Sequence, residues 1–119
     1  MNDSFFIGLK QAVVQWLNDI GGRFKSKHIS VETATDTEEC LYVILNFGEC
    51  MAAVVVAKPD FAPYRFVSFE AVDIVDGVHE MIYSWYDEEG NTIEDITRNL
   101  DTALEVVWEY NNSKGTASV

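Results

Sequence analysis

Hydrophobic residues follow two rhythms along this chain. From residue 4 to residue 20, Phe5, Phe6, Leu9, Val13, Trp16, Leu17 and Ile20 recur at helical spacing, which predicts an amphipathic helix. Asp3 or Ser4 is placed to cap its start and Gly21-Gly22 to stop it. From Lys27 to Thr33, Ile29 and Val31 alternate with polar residues, the pattern of a first strand with one wet face, and Thr35 to Glu39 reads as a polar turn. Leu41 to Phe47 and Cys50 to Ala57 are apolar and rich in β-branched residues, with only Gly48-Glu49 between them. That spacing predicts a hairpin with a two-residue turn. The turn length sets the register: Leu41, Val43, Leu45 and Phe47 oppose Val56, Val54, Ala52 and Cys50 on one face, and Tyr42, Ile44, Met51, Ala53 and Val55 populate the other. Both faces of this hairpin are therefore apolar.

Pro59 and Pro63 bar the next segment from a central strand and make it a stiff crossing loop. Arg65 to Val75 and Val78 to Tyr86 flank Asp76-Gly77, a dipeptide suited to a tight hairpin turn. Within the first of these strands the apolar phase shifts between Ala71 and Val72, from Val67, Phe69 and Ala71 to Val72 and Ile74, which marks a bulge. Asp87 to Asn91 reads as a turn. Thr92 with Asp95 three residues on resembles a capping box, with Asp in place of the usual Glu. A second helix follows on the stripe Ile93, Ile96, Leu100, Ala103, Leu104 and Val107, and Asn111 to Val119 reads as a fraying tail, residues 112–119 above all. The predicted order is α-β-β-β-β-β-α: a single α+β domain over 1–119, an antiparallel sheet of five strands flanked by an N-terminal and a C-terminal helix.

Composition supports a packed globule, since hydrophobic residues make up 48% of the chain and only 2 residues are proline. The longest apolar run, Met51 to Ala57, is far short of the roughly 20 residues a membrane-spanning helix needs, so no membrane partner is expected. The first ten residues lack the basic start of a secretory signal. Cys40 and Cys50 fall at opposite ends of the hairpin ladder, too far apart to bridge easily. Reduced thiols in a cytoplasmic protein are the expectation.

The residues that carry chemistry do not assemble into a recognised pattern. Asp87 to Asp95 is acid-rich, but its glycine is misplaced for a calcium loop. His28 and His79 have no neighbouring ligand at zinc spacing. No Gly-x-Ser-x-Gly elbow and no phosphate loop occurs in the sequence. The expectation is a protein without catalytic residues, metal or cofactor.

Charge changes the picture more than chemistry does. Formal net charge is −12, which disfavours direct binding to a nucleic-acid backbone. The acidity is uneven: residues 1–31 hold Lys10, Arg23, Lys25 and Lys27 against Asp3 and Asp19, a sum of +2, so residues 32–119 carry −14. Across the Asp76-Gly77 turn, Asp73 falls opposite Glu80, a like-charge pair that an external cation could relieve. On the second helix Asp101, Glu105 and Glu109 stand four apart, with Arg98 as the one base on that helix up to Tyr110. Together with Glu70, Asp76, Asp87, Glu88 and Glu89 these acids form the candidate partner-binding set. Trp85, Tyr86, Trp108 and Tyr110 are possible aromatic anchors beside them, or core residues. The partner such a set implies is a basic protein; simple solvation of the surface is the competing account.

Small size, strong acidity, an α+β pattern and the lack of a catalytic motif resemble the immunity proteins with which bacteria neutralise their own toxins, including those of contact-dependent growth inhibition. The resemblance spans overall character and carries over no individual residue. It implies a cognate toxin, often a basic nuclease, covered by an acidic face. Two other classes fit the same sequence. One is a secretion chaperone or adaptor, homodimeric or holding a client on the apolar face of Tyr42, Ile44, Met51, Ala53 and Val55. The other is an acidic mimic of nucleic acid.

Overall fold

The computed structural model describes residues 3–23, 29–58, 66–73, 80–88 and 90–117. Helix α1 (Asp3–Arg23) is followed by strands β1 (Ser30–Asp36), β2 (Cys40–Asn46), β3 (Cys50–Ala57), β4 (Val67–Asp73) and β5 (Glu80–Tyr86), then by helix α2 (Ile93–Ala117). The strands lie in the sheet in chain order, β1-β2-β3-β4-β5, each antiparallel to the next. This is the α+β order that the apolar rhythms predict.

The β2–β3 register is the predicted one, with Leu41 against Val56, Val43 against Val54 and Leu45 against Ala52. Gly48 makes the two-residue turn possible by holding φ at 107°, a left-handed conformation that residues with side chains resist. One face of the hairpin joins the core. Leu41, Val43, Leu45, Val54 and Val56 are buried there with Val67, Phe69 and Ala71 of β4. Both helices pack on this face: α1 contributes Phe6, Leu9, Val13 and Ile20, and α2 contributes Ile96, Leu100, Leu104 and Val107. α2 rests on β4 and β5 and beside α1. Lys10 of α1 reaches the β1–β2 turn, pairing with Asp36 at 2.8 Å and donating to the Thr37 carbonyl at 2.6 Å.

Some element boundaries, and the place of one bulge, differ from the sequence expectation. α1 runs through Gly21-Gly22 to Arg23, because glycine costs a helix only about 1 kcal/mol per residue and does not end it. β1 extends to Asp36, so the turn is tighter than Thr35 to Glu39. Thr37 closes it, donating its N–H to the Cys40 carbonyl at 2.8 Å and accepting the Cys40 N–H on its hydroxyl at 3.1 Å. The irregularity at Ala71 and Val72 is present, but the extra residue is Ile82 of β5, since Ala71 pairs with Tyr83 and Val72 with Met81. β4 keeps unbroken alternation against β3 as far as Asp73. α2 continues past Asn111 to Ala117, because Asn111 is anchored: its side-chain oxygen accepts the Glu49 N–H at 2.8 Å. Pro59, Pro63, the Asp76-Gly77 turn, His28 and His79 lie outside the described residues.

Candidate protein-binding surfaces

The ten acids singled out by sequence do not share one environment. Asp73 follows Val67, Phe69 and Ala71 in phase and is 5% exposed on the core face. It stands opposite Glu80, as the sequence predicts. Relief of that pairing comes from within the chain, because the Tyr110 hydroxyl of α2 donates to Asp73 Oδ2 at 2.5 Å. Asp87 is 1% exposed. It accepts the backbone N–H groups of Phe66 at 3.1 Å and Val67 at 2.9 Å, so its carboxylate closes the start of β4. Asp101 is half-buried and accepts the Trp16 indole N–H at 2.7 Å, tying α2 to α1. These three are structural carboxylates.

Glu70, Glu80, Glu88, Glu105 and Glu109 are exposed. Asp76 and Glu89 lie outside the described residues. Apart from Glu70, the exposed acids belong to β5, to the residues just after it and to α2. Glu80 opens the edge strand β5, Glu88 follows its end, and Glu105 and Glu109 lie on the outer side of α2, which rests on β5. Arg98 is the sole Lys or Arg in the sequence from Phe66 to Asn112. It sits 3.6 Å from Asp95. Val106, 38% exposed, follows Glu105 on α2, whereas Met81, 51% exposed, pairs with Val72 and so belongs to the side of the sheet away from the helices. Of the possible aromatic anchors, Trp85 and Trp108 pack partly buried against the core and Tyr110 is held by Asp73. Tyr86 alone of the four is exposed, its hydroxyl donating to Glu70 at 2.7 Å.

A second surface is the sheet face turned away from both helices. Antiparallel sheets with one free face ordinarily carry polar residues there. Here Ile44, Met51, Ala53, Val55 and Val72 are only partly covered, and Tyr42 is 37% exposed. Among the strand residues whose register places them on this face, the carboxylates are Glu32 and Glu70.

A cavity of about 610 Å³ is an open groove between α1 and the β1–β2 turn, lined by Phe6, Ile7, Lys10, Val14, Asp36 and Lys58 among others. Its best-placed charged groups, Lys10 and Asp36, neutralise each other. Among the described residues, no three of His, Cys, Asp and Glu gather closely enough to hold a metal ion. The Asp95 carboxyl is held below the ordinary carboxylate range, chiefly by the Thr92 backbone N–H, then by the Thr92 side chain and Arg98. That shift belongs to the capping box, with both of its bonds at 3.0 Å.

Sequence reasoning missed the structural role of Asp87 and of Asn111. Asp87 had a faint signal, as the first polar residue after an apolar strand. Asn111 had none, since its partners Glu49 and Cys50 are about sixty residues away. The chain matches no family model, no curated protein and no solved structure.

Proposed function

We propose that this chain is a non-catalytic protein-binding domain that captures a basic protein through its β5–α2 flank. The observation that carries the reading is the set of exposed carboxylates on β5, at its end and on α2, Glu80, Glu88, Glu105 and Glu109, with Arg98 as the one Lys or Arg in the sequence between Phe66 and Asn112. Carboxylates at the edge of such a surface steer a basic partner and raise its association rate, while the exposed Val106 beside Glu105 offers short-range apolar contact. The resemblance to toxin-immunity proteins makes a cognate basic toxin the partner of choice, bound in the cytoplasm before it can act. Glu80, Glu88, Glu105 and Glu109 are the residues assigned to this role. Asp73, Asp87 and Asp101 act indirectly, by holding the strands and helices that present them.

The test is kinetic. Glu80→Lys, Glu105→Lys and Glu109→Lys together, all at exposed positions, are expected to slow association with the captured partner by about tenfold or more at low ionic strength and to flatten its salt dependence. Association at the unaltered rate would refute the role of this flank. Co-production of the chain with the partner supplies the biological arm: protection of growth is expected if the partner is a toxin, and no protection would remove the immunity assignment.

The free sheet face supports a second reading, an adaptor or secretion chaperone that holds a client segment against Tyr42, Ile44, Met51 and Val55. A partner that binds the triple variant normally, but fails on Met51→Lys, would select it.

A further inference from the structure

We infer that the free sheet face is a self-association surface, on which a second copy of this chain packs sheet against sheet. The inference is independent of the β5–α2 reading, because the two surfaces lie on different sides of the sheet.

Electrostatics singles out the face. Two copies at −12 each repel one another, and any contact through α2 or the β5 edge would bring like charges together. The free face is the exception. Its strand residues carry Glu32 on the edge strand β1 and Glu70 on β4. The latter already accepts the Tyr86 hydroxyl. Tyr42, Ile44, Met51, Ala53, Val55 and Val72 form an apolar stretch running over the three middle strands.

Size is sufficient as well. Five strands about 4.8 Å apart and seven residues at about 3.3 Å per residue span roughly 24 by 23 Å, or roughly 550 Å² of flat area on each copy. Two such faces bury about 1,100 Å² before side-chain relief is counted, above the roughly 1,000 Å² that a specific interface needs. β3 is the central strand and Ala53 stands near its middle, paired with Ile44 on one side and Glu70 on the other. A two-fold axis passing near Ala53 lets larger residues of one copy enter beside this small side chain of the other, in the aligned packing usual for paired sheets. Each Glu70 then lies close to the axis, so its charge opposes the dimer, and the Tyr86 hydroxyl moderates that cost.

Light scattering after size exclusion, run on the full chain from micromolar to millimolar concentration, is expected to show a shift from 13.4 kDa toward twice that mass. Ile44→Glu should weaken the dimer by at least about tenfold, since the new charge meets its own copy across the axis. Met81→Glu, at an exposed position on the rim, preserves the fold if Ile44→Glu does not, and should weaken the dimer less. Glu70→Gln should tighten it. Amide shifts that follow concentration should fall on β2, β3 and β4 in the NMR spectrum. A monomer at every concentration overturns the inference, as does a dimer whose shifts fall on α1 or α2, or one that Glu70→Gln weakens.

Discussion

Tyr110 and Asp73 meet where a carboxylate has no business on hydrophobicity alone, on the core face of β4 and opposite a second carboxylate, Glu80. A buried acid needs hydrogen-bond donors, and a donor lost from a buried polar group costs about 1–3 kcal/mol. Tyr110→Phe removes the hydroxyl and little else, so it should lower stability by about that amount in urea melts without changing the transition slope. Adding Asp73→Asn, which ends the like-charge opposition to Glu80, should return part of the loss. The pairing of Asp73 with Glu80 was legible in sequence, because Gly77 and the flanking alternation set the register. The inward direction of Asp73 was not. An apolar phase that switches at Val72 suggests a bulge in β4, whereas the extra residue is Ile82 in β5 and β4 stays in phase. Alternation on one strand cannot tell which of two partners carries the additional residue. Asp87 differs for a related reason: in sequence it opens a run of acids, yet its carboxylate serves the backbone N–H groups of Phe66 and Val67 at the start of β4, about twenty residues earlier.

Among the elements, the β2–β3 hairpin and the start of α2 were read almost residue for residue, since each is specified locally. The hairpin has a glycine where the turn demands one, and α2 has Thr92 and Asp95 exchanging backbone bonds. Thr92→Ala should therefore cost about 1 kcal/mol, read as a lower melting temperature. Because the Asp95 pKa is depressed in the folded chain, its contribution is present above the unfolded-state pKa and is lost as pH falls through the folded value. The stability gap between the native chain and Asp95→Asn should accordingly close as pH falls through the acid carboxylate range, as followed by urea melts at stepped pH. Ends specified by distant contacts were read less well. α2 outlasts Asn111 because that side chain reaches the β2–β3 turn, accepting from the Glu49 N–H and the Cys50 thiol, and no local pattern announces such a contact.

For the whole molecule, the two proposed surfaces predict opposite responses to salt. Screening weakens attraction to a basic partner and also weakens repulsion between two copies of a chain with net charge −12. Added sodium chloride should thus slow capture of the partner through β5 and α2 while raising the dimer fraction, both measured on one preparation. The candidate partner-binding acids were legible as a list of residues, and the structure divides that list into exposed flank and internal support. Fold geometry made the division, since the same residue type serves either purpose. One consequence concerns the order in which the chain is made. α2 supplies the Asp101 oxygen to Trp16, the Tyr110 hydroxyl to Asp73 and the Asn111 oxygen to Glu49, and it leaves the ribosome after every strand it covers. Until it emerges, the core face over β4 and β5 is uncovered while the opposite face is already apolar, so the nascent sheet presents hydrophobic surface on both sides. Synthesis of this domain is the interval when it most depends on chaperones, and slowing translation just before α2 should raise its aggregation more than slowing it after.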